Sequence, residues 1–466
     1  MTGATTEEVT MDSSPLSKVA NWTGGRLLAG SASAMVANIC TDSRALKRGD
    51  LFVALRGENY DGHKFIEEAA KLGAVGAVVE HFPVNLPPEF GIIEVLDTLK
   101  ALQNLGMNYR ISLPVRIIGI TGSNGKTSTK DFTAAVLGRK FITAKTAGNL
   151  NNHIGVPLTL LSLSAANEFA VVEMGMNHAG EIAPLAAMAK PDAAIITNVG
   201  MAHIEFLGSR AAIAAEKGDL AAAVHENGTV ILNADDDFTP VLAGRCRARV
   251  VTAGISKGDV RASDLEPISS GIRFRIHATG RCLNAELPVP GEHMVRNALL
   301  ACAAGLDFGM SLEECVEGLR RPGLSNGRLQ QKQIAGLTIL DDSYNANPDS
   351  MVAGLATLAQ HPGKGRRIAV LGRMGELGTE SEPGHRRVGA AAGSLGLACL
   401  IAVGDEARWI AESAKGVVEV IHVADTVAAT TALRSFAKEG DIVLVKGSRS
   451  AQMERVIAEL EKGGAA

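Results

Sequence analysis

Thr121-Gly122-Ser123-Asn124-Gly125-Lys126-Thr127-Ser128 sits between an apolar run, Val115 to Ile120, and a segment compatible with a helix. A strand, a glycine-bearing loop and a helix start in this order can cradle phosphate. The glycines let backbone N–H groups approach the oxygens, and the helix N-terminus adds positive potential. Lys126 would reach the outer phosphates and the Thr127 hydroxyl would sit on Mg²⁺. The common nucleotide loop keeps four residues between its first glycine and the Gly-Lys pair; that glycine position is Ile120 here, so only the shorter T-G-x-x-G-K-T form is present. The alternative is an ordinary glycine-rich turn, and Lys-Thr at the helix start favours nucleotide.

Other residues carry chemistry in less specific settings. Glu173 ends the run Ala170-Val-Val-Glu173 and could hold Mg²⁺, orient water or cap a turn. His203 lies just past another strand end, Ala194 to Asn198, where an imidazole can serve a metal or the fold. Lys217, in Ala-Ala-Glu-Lys-Gly-Asp, reads from its neighbours alone as a solvated surface lysine. Gly148-Asn149-Leu-Asn151-Asn152-His153 gathers uncharged hydrogen-bonding groups suited to a polar substrate, or to a turn. His293 and Asn297 share a helix face, where they could meet a base or simply face solvent. Arg328 lies at a domain junction and Asp342 ends the next strand; the arginine could offset phosphate charge or form a hinge ion pair.

The elements that must position these groups follow from pattern and composition. The chain has 466 residues, 46% hydrophobic but only 4% aromatic, as expected where Ala, Val, Leu and Ile pack helices onto parallel sheets. Short apolar strands ending in polar residues recur, among them Thr229–Asn233, Leu337–Leu340, Ile368–Leu371, Leu400–Val403 and Ile442–Val445. An antiparallel excursion is expected at 272–289, and Pro83, Pro87 and Pro88 interrupt the first segment. The expected fold class is α/β with three domains. A small mixed α/β N-terminal domain spans 1–112, with a loose tail at 1–14; a central P-loop-type parallel-sheet ATPase domain spans 113–327; a C-terminal Rossmann-like domain spans 328–466. A net charge of −4 gives no basic surface for nucleic acid. Six cysteines without a C-x-x-C pair fit a reducing cytoplasm rather than zinc or disulfides. No signal peptide and no membrane-spanning stretch is expected.

Taken together, Thr41-Asp-Ser-Arg44, the phosphate loop, Gly148–Asn152, Asp341-Asp-Ser-Tyr-Asn-Ala-Asn-Pro348, Met374-Gly-Glu-Leu-Gly378 and Lys446-Gly-Ser-Arg449 resemble the Mur ligases, ATP-dependent amide-forming enzymes of peptidoglycan precursor synthesis. The resemblance covers nearly the whole chain and is strongest to the members that join D-alanyl-D-alanine to UDP-N-acetylmuramoyl-tripeptide. The D-N-P-R motif of the members adding the third amino acid is absent, and Arg373 stands where an acidic residue is expected. The resemblance implies ATP and Mg²⁺ as cofactors. Gly122, Ser123, Asn124, Gly125, Lys126, Thr127 and Ser128 would bind phosphate. Thr127, Glu173, His203 and Lys217, the last carbamylated by CO₂, would serve the metal. His293 and Asn297 would contact adenine, and Arg328 and Asp342 would reach ATP from the linker and third domain. Lys126, His203, Lys217 and Arg328 would be catalytic. Ser43 and Arg44 would belong to the uridine-nucleotide domain, and Asn149, Asn151, Asn152, Tyr344, Asn345 and Asn347 to the substrates. The expected state is a cytoplasmic monomer. A sibling ligase with another amino-acid acceptor, a folate-polyglutamate relative, a nucleotide-binding regulator and a simple ATP hydrolase are the rival readings.

Overall fold

The computed structural model describes residues 11–82 and 86–463. Contacts divide the chain into two units. The first holds the residues up to Gly119 together with Phe141–Gly175 and Glu181–Asp192; the second holds Ile120–Lys140, Met176–Gly180 and everything from Ala193 onward.

The N-terminal sheet is built from β1 (Arg26–Ala29), β2 (Asn38–Cys40), β3 (Asp50–Val53), β4 (Gly76–Val79) and β5 (Gly91–Glu94), in the order β1-β5-β4-β3-β2. All its pairs are parallel except β1 with β5. β3 and β4 are buried along their whole length, which is why Leu51–Val53 and Gly76–Val79 read as continuous apolar runs rather than alternating ones. The helix Thr98–Ile111 starts where Asp97 accepts a hydrogen bond from the Lys100 N–H at 2.9 Å. Near its end, buried Tyr109 donates its hydroxyl to the Leu163 carbonyl and accepts the Asp12 N–H, both at 2.7 Å. Of the tail expected at 1–14, residues 1–10 lie outside the described residues, as does Pro83. Met11 is buried, and Ser14–Pro15 pairs with Met35–Val36.

The central sheet has nine strands: β6 (Arg116–Thr121), β7 (Thr143–Lys145), β8 (Phe169–Glu173), β9 (Ala193–Ile196), β10 (Thr229–Asn233), β11 (Arg249–Gly254), β12 (Val260–Ile268), β13 (Gly271–Ala278) and β14 (Arg281–Leu287). Their order is β7-β8-β6-β9-β10-β11-β12-β13-β14. The pairs β9–β10, β10–β11 and β11–β12 are parallel, while β12–β13 and β13–β14 form the antiparallel excursion.

The third sheet comprises β15 (Gln330–Ile334), β16 (Leu337–Asp342), β17 (Arg367–Gly372), β18 (Cys399–Val403), β19 (Glu419–Val423) and β20 (Ile442–Lys446), ordered β15-β16-β20-β17-β18-β19. Four strands are the apolar runs expected from sequence. The other two, β15 and β19, are edge strands with half-exposed polar positions, so no continuous apolar run marks them. Only β15–β16 is antiparallel. The chain is therefore a three-domain α/β protein, and among the described residues no helix is long and apolar enough to cross a membrane.

Tyr109→Phe should cost about 1–2 kcal/mol, because the Leu163 carbonyl and the Asp12 N–H both lose a buried partner. A lowered urea midpoint with unchanged slope would show it.

Candidate active site

The phosphate loop takes the backbone path its glycines permit. Gly122 and Gly125 have φ of +149° and +78°, and a Cβ on Gly122 would collide with the Thr197 hydroxyl. A Cβ on Gly125 would stand 2.5 Å from Asn297 Oδ1, so the Asn297 side chain, expected at adenine, lies directly against the loop. The loop is fastened to the end of β9: Ser123 N–H donates to the Asn198 carbonyl, and Asn124 N–H to Asn198 Oδ1, both at 2.9 Å. Lys126 begins the helix Lys126–Leu137, and its ammonium donates to the Gly122 carbonyl at 2.7 Å. Thr127 and Ser128 are buried in that helix's first turn.

Side chains of the third domain reach this loop within the second unit. Arg328 Nη2 donates to Thr127 Oγ1 at 3.3 Å while its guanidinium stacks 4.1 Å from the centre of the Tyr344 ring. Asn347 Nδ2 donates to Asn124 Oδ1 at 2.7 Å, and Asn347 Oδ1 caps the helix Pro348–Gln360. Glu376 Oε2 approaches His203 Nδ1 to 2.5 Å, and this hydrogen bond above all holds the Glu376 carboxyl below its ordinary range. Glu376 lies in the Met374–Gly378 run, where nothing in its neighbours marks it as a partner of His203.

Lys217 corrects the solvated-lysine reading. On the helix Arg210–Ala223 it is fully buried, and burial together with the Lys126 charge pushes its amine well below the usual lysine range. Asp342 is committed to Lys446, whose ammonium donates to Asp342 Oδ2 at 2.6 Å and to the Asn345 carbonyl at 3.0 Å. Lys446 is thus a further site residue, recognisable beforehand only as part of a strand-end motif. Asn345 itself turns its amide oxygen onto the Ala346 N–H. Arg373, the departure from the expected acidic residue, lies 3.8 Å from Glu406.

In the first unit, buried Glu173 accepts Asn151 Nδ2 at 2.9 Å, and its own N–H donates to Thr146 Oγ1 at 3.0 Å. Asn152 Oδ1 accepts the Gly155 and Ile154 N–H groups, the turn-forming use of that side chain, while Asn149 is exposed. Ser43 is buried. Arg44 is solvent-facing, held at 2.7 Å by Asp42, whose carboxyl that pairing lowers to about 2.

Burial lowers the His293 pKa from 6.5 to about 4, with Lys446 and Arg296 adding to the effect and Asp342 opposing it. The folded chain then refuses a proton that the unfolded chain accepts. This group's contribution to stability is therefore complete above pH 6.5 and declines as pH falls from 6.5 toward 4. Histidine NMR at about pH 5.5 should find His293 neutral where an ordinary histidine is mostly protonated.

Comparison with known proteins agrees with this geometry. Residues 120–305 match the family described as Mur ligase middle domain, 327–449 the Mur ligase glutamate ligase domain, and 35–109 the Mur ligase family catalytic domain. The chain is 40% identical to the UDP-N-acetylmuramoyl-tripeptide–D-alanyl-D-alanine ligase of Escherichia coli, over 91% of this chain and 94% of that one. It is 37% identical to the ligase of the same name from Bacillus subtilis, over 91% and 93%. Among solved structures, MurF from Acinetobacter baumannii superposes with a TM-score of 0.90 at 33% identity, covering 97% of this chain and 100% of that one. The MurF ligase from Thermotoga maritima in complex with ADP gives 0.82 at 28% identity, covering 91% and 97%. The chain belongs to the Mur ligase family.

Proposed function

We propose that this protein is the ADP-forming ligase that joins D-alanyl-D-alanine to UDP-N-acetylmuramoyl-tripeptide, in peptidoglycan precursor synthesis. The observation that carries this reading is the cover over the phosphate loop, with Arg328 on Thr127 and Asn347 on Asn124. A nucleotide alone needs only the loop. A second domain arriving at it suits a reaction in which two further substrates must meet the γ-phosphate. The names of the relatives supply those substrates, and the ADP complex of one of them supplies the nucleotide.

A carboxylate and an amine do not condense in neutral water, because one is anionic and the other protonated. In our reading the terminal carboxylate of the tripeptide attacks the γ-phosphorus of ATP, ADP departs, and an acyl phosphate forms. The D-alanyl-D-alanine amine then attacks the acyl carbon and expels phosphate. Lys126 and Arg328 offset the repulsion between the incoming carboxylate and the phosphates. Gly122, Ser123, Asn124, Gly125 and Ser128 hold the phosphates through the loop and helix start. Bound Mg²⁺ would supply Lewis-acid polarisation of the phosphoryl oxygens. Among the described residues no three His, Cys, Asp or Glu side chains cluster into a ready metal cage. Within the second unit we assign Thr127, His203 and a carbamylated Lys217 as the protein ligands of Mg²⁺, and within the first unit Glu173 is the candidate ligand. The buried amine of Lys217 is held toward the neutral form, the one that is nucleophilic toward CO₂.

We assign adenine to His293 and Asn297, the uridine nucleotide to Ser43 and Arg44, and the peptide and acceptor to Asn149, Asn151, Tyr344 and Asn345. Asn152 and Asn347, whose amide oxygens already cap local turns, would shape those segments. Asp342 would act through Lys446. We keep 1–112, 113–327 and 328–466 as the functional division, and a cytoplasmic monomer as the working state.

Phosphate release should require ATP, the UDP-linked tripeptide and D-alanyl-D-alanine together, with product heavier by the dipeptide. Release with a single amino acid, or with ATP alone, would refute the assignment. Lys126→Ala should lower kcat by about 100-fold or more at saturating ATP. Lys217→Ala should also lose most activity, and parental turnover from it would remove Lys217 from the site.

A further inference from the structure

We propose that Asp349 is a positioning residue that clasps the third domain onto the phosphate loop during turnover, an inference that rests on the ligase reading above. A short chain of hydrogen bonds connects the two. Gly200 N–H donates to Ser123 Oγ of the loop at 2.8 Å, and the next residue's N–H, Met201, donates to Asp349 Oδ2 at 3.2 Å. The other oxygen, Asp349 Oδ1, accepts Arg387 Nη1 at 2.9 Å, so the helices Pro348–Gln360 and Ser381–Ser394 both bear on one backbone segment. Gly200 makes this approach possible: a Cβ there would stand 2.6 Å from Asp349 Oδ2.

The energetics suit a latch that opens in every cycle. Asp349 lies in the first turn of its helix, where the dipole favours a carboxylate, so the charge is kept there at little cost. The side chains of Asp349 and Arg387 are 33% and 51% exposed, which makes their ion pair weak and reversible. The charged bond to the Met201 N–H is the stronger half. Among the described residues the side-chain hydrogen bonds of Asp349 go to Met201 and Arg387, neither of them assigned above to nucleotide, metal or substrate.

The test compares parent, Asp349→Ala, Gly200→Ala and the double variant in the full chain. Steady-state ligation is measured alongside the small-angle scattering radius of gyration with a non-hydrolysable ATP analogue and Mg²⁺. Asp349→Ala should lower kcat about tenfold and leave the KM for ATP within about twofold, because the loop still binds nucleotide. Its radius with the analogue should exceed that of the parent. Gly200→Ala should shift both readouts the same way by displacing the carboxylate, and the double variant should be no worse than the worse single one. A parental radius in Asp349→Ala, whatever its kcat, would overturn the clasp, and so would additive effects in the double variant. Should Asp349→Ala fail to fold, Arg387→Met, at an exposed position, should give a smaller shift in the same direction, and a parental radius from it would count against the clasp. Scattering reads the clasp without chemistry, whereas absent acceptor-dependent phosphate release from the parent would refute the ligase reading.

Discussion

A lysine amine buried within reach of another lysine's charge is the constraint on which the site in the second unit depends. Lys217 is buried and feels the charge of Lys126, and the combined penalty drives its amine toward neutrality. Much of the surrounding structure serves that arrangement. The end of β9 holds the loop, Asn297 fills the space above Gly125, and the third domain contributes Arg328 and Glu376 of opposite sign.

The linker to the third domain is fastened at its start to the central domain. Ser325 donates both its N–H and its hydroxyl to Asp131 Oδ2 at 2.8 Å, which anchors the linker to the phosphate-loop helix. Two residues on, Gly327 and Leu329 have φ of +69° and +55°, flanking Arg328. A leucine in the left-handed region is strained, and such strain is held only where neighbouring contacts fix it. Between these two residues, Arg328 carries the linker's hydrogen bond to Thr127 of the phosphate-loop helix.

Several polar groups that look like ligands in a sequence are spent on local structure. Asn152 caps a helix start, Asn347 caps another, and Asp42 holds Arg44. Each is a short-range bond between residues two or three apart, which competes directly with binding for the same oxygen. Asp342 is drawn to Lys446 across adjacent strands, a pair that would be costly to break by removing either partner.

The residues themselves determined whatever is contiguous in the chain. The phosphate loop, the apolar strands that end in polar residues, the antiparallel excursion and the family all follow from neighbours whose spacing carries the physics. The edge strands β15 and β19 escaped notice because half-exposed strands need no apolar run. Lys217 read locally as a surface lysine, and only the packing of its helix buried it. Asp349 and Glu376 gained meaning only when folding brought them to Met201 and His203, more than a hundred residues away in the chain. Burial and charge pairing depend on what arrives from elsewhere in the chain, so the tertiary structure alone decides them.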